Sequence, residues 1–379
     1  MTGDISDFLL GIDPVVTGGA SGAVFVPMIG IQHHEDTVEI GGNRIVRLTP
    51  GSWNLIENNR YVDFYRHYYA AAPRSYLVYP FSAQALETAD DPYAFLLKQR
   101  DEAYERARNL VLALRLAFNG LLIAPERVVV VARANSVNSR WPDDRFRFYT
   151  AVVGDPIILG SRTVQFGDRT EFLPSQQITS LGGPPVRIST REVPRVEKFL
   201  ALIDRYKNHA KDDGIEYIIR NFGRSWDVLL DVRTRRVALI AAFEGAFGKF
   251  SSPRGRDSVG ARVFALWRAF PDTATEIAAR IEGPFREMRR AYSHGAENKR
   301  VLDQGTAVEV SLASVRMALT ALIAIACADD EQKSVLAPLR HPDDAKPVAS
   351  LRALLRATAH GNEEAVAALC ALIQPLTAN

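Results

Sequence analysis

Between Ser180 and Ile188 the chain reads SLGGPPVRI, and no other stretch limits its folding more. Two glycines followed by two prolines continue neither a helix nor a central strand, because proline has no amide donor and glycine is too permissive to hold a regular element. The hydrophobic period changes across this linker. Upstream, GAVFVPMIGIQ (22–32), TVEIGGNRIVRL (37–48), RSYLVYPF (74–81), RVVVVARA (127–134) and RFRFYTAVVG (145–154) are rich in β-branched and aromatic residues and broken by Gly-Gly and Gly-Asn turn signals. One helical pattern interrupts them, from Pro92 to Asn119, with Gly120 as its stop. Downstream nearly every segment has helical spacing. The expected fold class is α+β: a mixed, β-rich N-terminal domain over residues 1–185 followed by an all-α bundle over 186–379.

The downstream helices are expected in STREVPRVEKFLALIDRYKNHA, DGIEYIIRNFGRSW, DVRTRRVALIAAFEGAFGKF, VGARVFALWRAF, around GPFREMRRAYSHG, in AVEVSLASVRMALTALIAIA, and in one or two further segments after Pro347. Three charges fall on the apolar stripes of these helices. Glu244 shares a side with Val237, Ile240 and Phe247; Arg262 with Val259, Leu266 and Phe270; Arg316 with Leu312, Leu319 and Ile323. A charge facing inward needs a partner, so Glu244 is expected to pair with Arg262 or Arg316. Such a pair either fixes helix register or supports an active site from behind.

Composition narrows the function classes. With 47% hydrophobic and 24% charged residues the chain has the make-up of a globular protein. Its net charge of +2 forecasts no nucleic-acid binding by itself. Eight of the 46 basic residues are lysine, leaving 38 arginines, a bias that suits phosphate recognition and that a GC-rich genome also produces. Cys327 and Cys370 have no CxxC or Cys/His neighbour, so neither a disulfide framework nor a structural zinc site is expected, and no cofactor is called for. The N-terminus MTGDISDFLL lacks a basic region and a long apolar run. The most apolar stretch, Leu312 to Ala328, is shorter than a membrane span and carries Arg316. A cytoplasmic protein without a membrane partner is the expectation.

Motifs for other chemistries are absent. There is no GxxxxGK[ST], no GxGxxG after a strand and no GxSxG. HHED (33–36) offers metal-ligand types, but adjacent histidines on a strand point to opposite sides and no spaced third ligand follows. The remaining constellation is FREMRRAYSHG, in which Arg289-x4-His294 is followed by Gly295. With so many arginines, an Arg four to six residues ahead of a His arises about twice by chance. A looser instance, Arg60-x6-His67, lies among aromatics in the first domain, and Arg356 with His360 echoes the pattern one residue short at an expected helix end.

Context separates the Arg289 instance from the others. From about Arg191 to Ala328 the chain resembles the Apea-like branch of the HEPN superfamily, in EYIIRNFGRSW, RRVALIAAFEGAF with Glu244, GARVFALW with Arg262, REMRRAYSHG, and SLASVRMALTALI with Arg316. The resemblance implies a HEPN-type helical bundle with a C-terminal helical extension, and a first domain acting as a sensor or substrate-selecting module. It implies a metal-independent endoribonuclease that uses the ribose 2′-OH of RNA as nucleophile, at a site shared by two motif helices across a homodimer axis. Proteins of this kind often serve in phage defence or in toxin-like systems. The catalytic pair is then Arg289, whose permanent charge stabilises the phosphoryl oxygens, and His294, which moves a proton near neutral pH. Arg286 and Arg290 are candidate phosphate contacts. Tyr292 either stacks on a base or packs at an interface, and Ser293 bonds either a phosphate or its own helix. Arg290 stands where the family commonly carries Asn, Asp or His and, unlike those, accepts no hydrogen bond. A non-catalytic module that binds RNA or a partner protein is the alternative.

Overall fold

In the computed structural model the described residues are 22–28, 31–32, 37–47, 75–81, 85, 89–90, 92–118, 129–132, 151–152, 164–166, 169–171, 186–226, 230–248, 258–270, 275–293, 304–329 and 346–377. The chain divides into two compact units, Met1–Glu197 and Lys198–Asn379.

The first unit is built on strands β1 (Gly22–Met28), β2 (Ile31–Gln32), β3 (Thr37–Ile40), β4 (Asn43–Arg47) and β5 (Ser75–Phe81), helix α1 (Pro92–Ala117), and short strands β6 (Val129–Ala132), β7 (Ala151–Val152), β8 (Val164–Phe166), β9 (Arg169–Glu171) and β10 (Val186–Arg187). Six of them form an antiparallel sheet in the order β3-β4-β5-β1-β6-β7. The β3–β4 hairpin turns on Gly41 and Gly42, both at positive φ (53° and 76°), which the two-residue turn requires. Beside it the buried Asn43 donates to the Ile40 carbonyl at 3.1 Å and accepts from the Tyr79 hydroxyl at 2.8 Å. These bonds satisfy two polar groups that burial would otherwise penalise. Helix α1 lies on β1 and β5, burying Ala103, Ala107, Leu110 and Leu114. Its Arg106 guanidinium sits 5.7 Å from the Tyr79 ring centre.

One feature differs from the sequence expectation. The end of the Gly-Gly-Pro-Pro stretch is strand: Val186 and Arg187 pair in parallel with Ile31 and Gln32. The prolines end at position 185, so the residues that follow have free amides and can enter a ladder.

Helix α2 (Val193–His209) crosses the division between the units, and the second unit continues with α3 (Asp213–Trp226), α4 (Val232–Phe247), α5 (Val259–Arg268), α6 (Thr275–Ala279), α7 (Glu282–Ser293), α8 (Gln304–Ala326), α9 (Pro347–Ala359) and α10 (Glu363–Thr377). An α+β protein results. The short α6 is an addition to the helices read from the sequence; a five-residue helix is too brief to show a period. Side-chain caps set several starts: Asp231 accepts from the Thr234 amide at 2.9 Å, and Ser258 from the Ala261 amide at 3.1 Å.

Helix α8 is the core of this unit. Its segment Ala307–Ala326 is long and apolar enough to cross a membrane by composition, with mean hydropathy 1.8, yet 78% of it is buried against the rest of the protein. The expected helix AVEVSLASVRMALTALIAIA is present and begins slightly earlier, at Gln304, and its apolar surface is used in packing. Trp267 of α5 donates to the Ser314 hydroxyl at 2.8 Å, and Ser314 in turn donates to the Val310 carbonyl at 2.6 Å. Cys327 and Cys370 are free thiols. Helices α3 and α4 pack most intimately, at Gly245, where an added Cβ would come within 2.8 Å of Ile218.

Candidate active site

Helix α7 carries the candidate residues, and its apolar side determines where they point. Phe285 and Met288 are fully buried, and the Phe285 ring stacks on Phe243 of α4 with centroids 4.1 Å apart. The opposite side of α7 is cationic. Arg286 pairs with Glu282 one turn earlier at 2.9 Å, a half-exposed i,i+4 pair of the type that adds about 0.3–0.5 kcal/mol. Arg290 is exposed.

Arg289 leans across to α4. Its Nε lies 2.7 Å from Glu244 Oε1, with side-chain exposures of 28% and 20% respectively. The contact is close as an ion pair but not aligned as a hydrogen bond, since Oε1 has no bonded donor. A long helical side chain reaches back toward its own N-terminus, so Arg289 meets α4 near the level of the Phe243–Phe285 stack. Two turns away on α4, the half-buried Arg236 interacts with Tyr292. Burial lowers the Arg236 guanidinium pKa from its ordinary value, and the Tyr292 contact partly offsets that.

The structure corrects the pairing expected for Glu244. Its partner is Arg289, and it sits near the rim of the bundle beside Val237, which is 39% exposed. Of the residues expected on its stripe, Ile240 and Phe247 are buried, together with Ala238, Leu239, Ala242, Phe243 and Ala246, and Val237 is not. Arg262 is buried as expected, at 4% exposure, but its Nη1 donates to the Phe247 carbonyl, the last of α4. Arg316 is half-buried on α8.

Arg352 of α9 is the residue that sequence reasoning missed. Its Nε donates to the Ala246 carbonyl at 3.1 Å, and its Nη2 to the carbonyls of Glu244, at 3.2 Å, and Gly245. Burial lowers its pKa from the ordinary value. With Arg262 on Phe247 and the Gly248 amide on Glu244 at 2.9 Å, all four carbonyls that a helix leaves unpaired at its C-terminus are satisfied at α4.

Several sequence candidates fall outside the described residues: His294 and Gly295, the side chain of Ser293, HHED at 33–36, and Arg60 with His67. The Arg356–His360 echo is described; His360 is the exposed C-cap residue of α9, next to Gly361 at φ 84°. Among the described residues no three His, Cys, Asp or Glu side chains converge as metal ligands.

The described site is thus an arginine held by a carboxylate at a rim, with the exposed Arg290 beside it and Arg236 near Tyr292. Such a site can bind an anion and stabilise charge developing on it. Comparisons with protein-family models, with curated proteins and with solved structures found no match to this chain.

Proposed function

We propose that the chain is a metal-independent endoribonuclease of the HEPN type, active as a homodimer and suited to a defence or toxin-like role. The observation that supports this reading is the Arg289–Glu244 pair: the carboxylate holds a part-exposed guanidinium in the last turns of the helix that leads into His294. In the reaction, the ribose 2′-oxygen attacks the adjacent phosphorus and the P–O5′ bond breaks. The products are a 2′,3′-cyclic phosphate and a 5′-hydroxyl. His294 takes the 2′-OH proton or supplies one to the departing 5′-oxygen. Arg289 stabilises the charge gathering on the phosphoryl oxygens, with Arg286 and Arg290 on flanking phosphates. A site shared across a homodimer axis, as the resemblance implies, brings the motif helix of a second copy to the same phosphate.

The test is incubation of the purified protein with single-stranded RNA and tRNA in EDTA. Cleavage leaving 2′,3′-cyclic phosphate ends is expected, with Arg289→Ala and His294→Ala each reducing the rate about 100-fold or more. Cutting that persists in His294→Ala, or on a 2′-deoxy substrate, overturns the mechanism. The exposed Arg290 favours a second reading, a non-catalytic module binding RNA or a partner protein, because it adds a cation and no proton acceptor. RNA retention without cutting would select it.

A further inference from the structure

We infer that Arg352, on helix α9, is a positioning residue for the Arg289 centre. The inference rests on the reading of Arg289 as the cation that contacts phosphate. It starts from an electrostatic conflict within α4. The C-terminal end of a helix carries partial negative charge and favours cations, yet the last turn of α4 contains no basic residue and does contain Glu244. An anion there is disfavoured by its own helix. The compensation comes from two other helices: Arg262 of α5 on the Phe247 carbonyl, and Arg352 of α9 on the carbonyls of Ala246, Gly245 and Glu244 itself.

Arg352 therefore acts on the residue that holds Arg289. One guanidinium fixes three consecutive carbonyls, which sets the backbone at Glu244 and with it the direction of its side chain. That side chain ends in the carboxylate 2.7 Å from Arg289 Nε. The line of contacts runs from the Arg352 guanidinium to the Glu244 carbonyl, then from the Glu244 carboxylate to Arg289, with one residue as the link. A displacement of about 1 Å in a charge-stabilising group can cost up to 100-fold in rate, so a backbone clamp at this point bears on function and not only on stability.

The experiment is a double-mutant cycle read by denaturant unfolding. The coupling between Glu244→Gln and Arg289→Gln is measured in the wild-type background and again with Arg352→Gln present. Positioning predicts that the coupling falls by about half or more in the second background. With RNA as substrate, Arg352→Gln is expected to lower kcat about ten-fold with KM unchanged, and Arg352→Lys to recover part of it, since a single ammonium cannot span three carbonyls. A helix cap with no positioning role would lower stability and leave the coupling as it was, and that result overturns the inference. A coupling already absent in the wild-type background overturns it too. Should Arg352→Gln not fold, Arg352→Lys carries the same comparison, with partial loss expected and an unchanged coupling fatal. The cycle uses no substrate, so a wild-type protein that cuts no RNA refutes the nuclease reading alone.

Discussion

The end of α4 shows how single residues divide into those the sequence announces and those it hides. Gly248 closes the helix at φ 93° and ψ 171°, a region open essentially to glycine, and an added Cβ would lie 2.9 Å from Arg262 Nη1. Gly361 also has positive φ, but nothing lies within 4 Å of its added Cβ. Gly361→Ala is therefore expected to cost about 1–2 kcal/mol from backbone strain alone. Gly248→Ala should cost about 3 kcal/mol or more, since it also displaces a charged donor from the Phe247 carbonyl. Urea unfolding midpoints of the two variants test the ranking, and equal losses would refute the role given to Arg262. The sequence reading ran this helix on to Phe250, so neither the stop at Gly248 nor its arginine neighbour was foreseen. A stripe of apolar residues marked Glu244 and Arg262 as charges needing partners, but it could not tell which sides of α4 other helices cover. Val237 looked like core and is exposed, which moves Glu244 to the rim and gives it Arg289. Arg352 left no signal at all, because its partners are carbonyls that every residue possesses.

At the scale of elements, helix starts and stops were the most legible feature, because capping is local chemistry. DGIEYIIRNFGRSW is α3 from end to end, and Pro347 opens α9. Just before α2, Glu192 Oε2 accepts from the Ser189 amide at 2.6 Å and from its hydroxyl, the carboxylate half of a capping-box pattern. The Ser189 hydroxyl bond holds the Glu192 pKa below the usual carboxylate range, outweighing a smaller contribution from burial. A carboxyl whose folded pKa is depressed contributes stability at pH above its unfolded value, and that contribution is lost as pH falls through the folded pKa. The stability difference between wild type and Glu192→Gln should accordingly be constant near neutral pH and shrink on acidification below the ordinary glutamate range. Denaturant titrations at a series of pH values measure it. A difference that stays flat or widens in acid would mean the Ser189 bonds do not favour the charged form. Short elements were less legible for a physical reason: α6 and β10 owe their existence to neighbours in space, Val186 and Arg187 to Ile31 and Gln32, and not to any period of their own.

At the scale of the whole molecule, the change of period at the Gly-Gly-Pro-Pro stretch separated strand-rich from helical sequence, but it could not show how far the C-terminal helices belong to the second unit. Read in sequence they look like an extension. In the structure α9 packs on α5 and α8, and α10 packs on α8 and α9. Leu351, Leu354, Leu355, Leu369 and Ile373 are each at most 2% exposed. Burying one such side chain contributes about 1.5–3 kcal/mol, so these five supply an amount comparable with the entire 5–15 kcal/mol that separates most folded domains from their unfolded chains. Removing them would also strip the cover from α8, the most apolar helix of the unit, and leave the last carbonyls of α4 without Arg352. A chain ending at Asp329 is therefore expected to lose cooperative unfolding of the second unit, with rapid proteolysis between α3 and α8. Circular dichroism through a thermal ramp, with limited proteolysis alongside, decides the matter. A truncated protein that melts in one sharp transition near the full-length midpoint would mean that α9 and α10 rest on the bundle without sustaining it, and the clamp on Glu244 would then have to be dispensable as well.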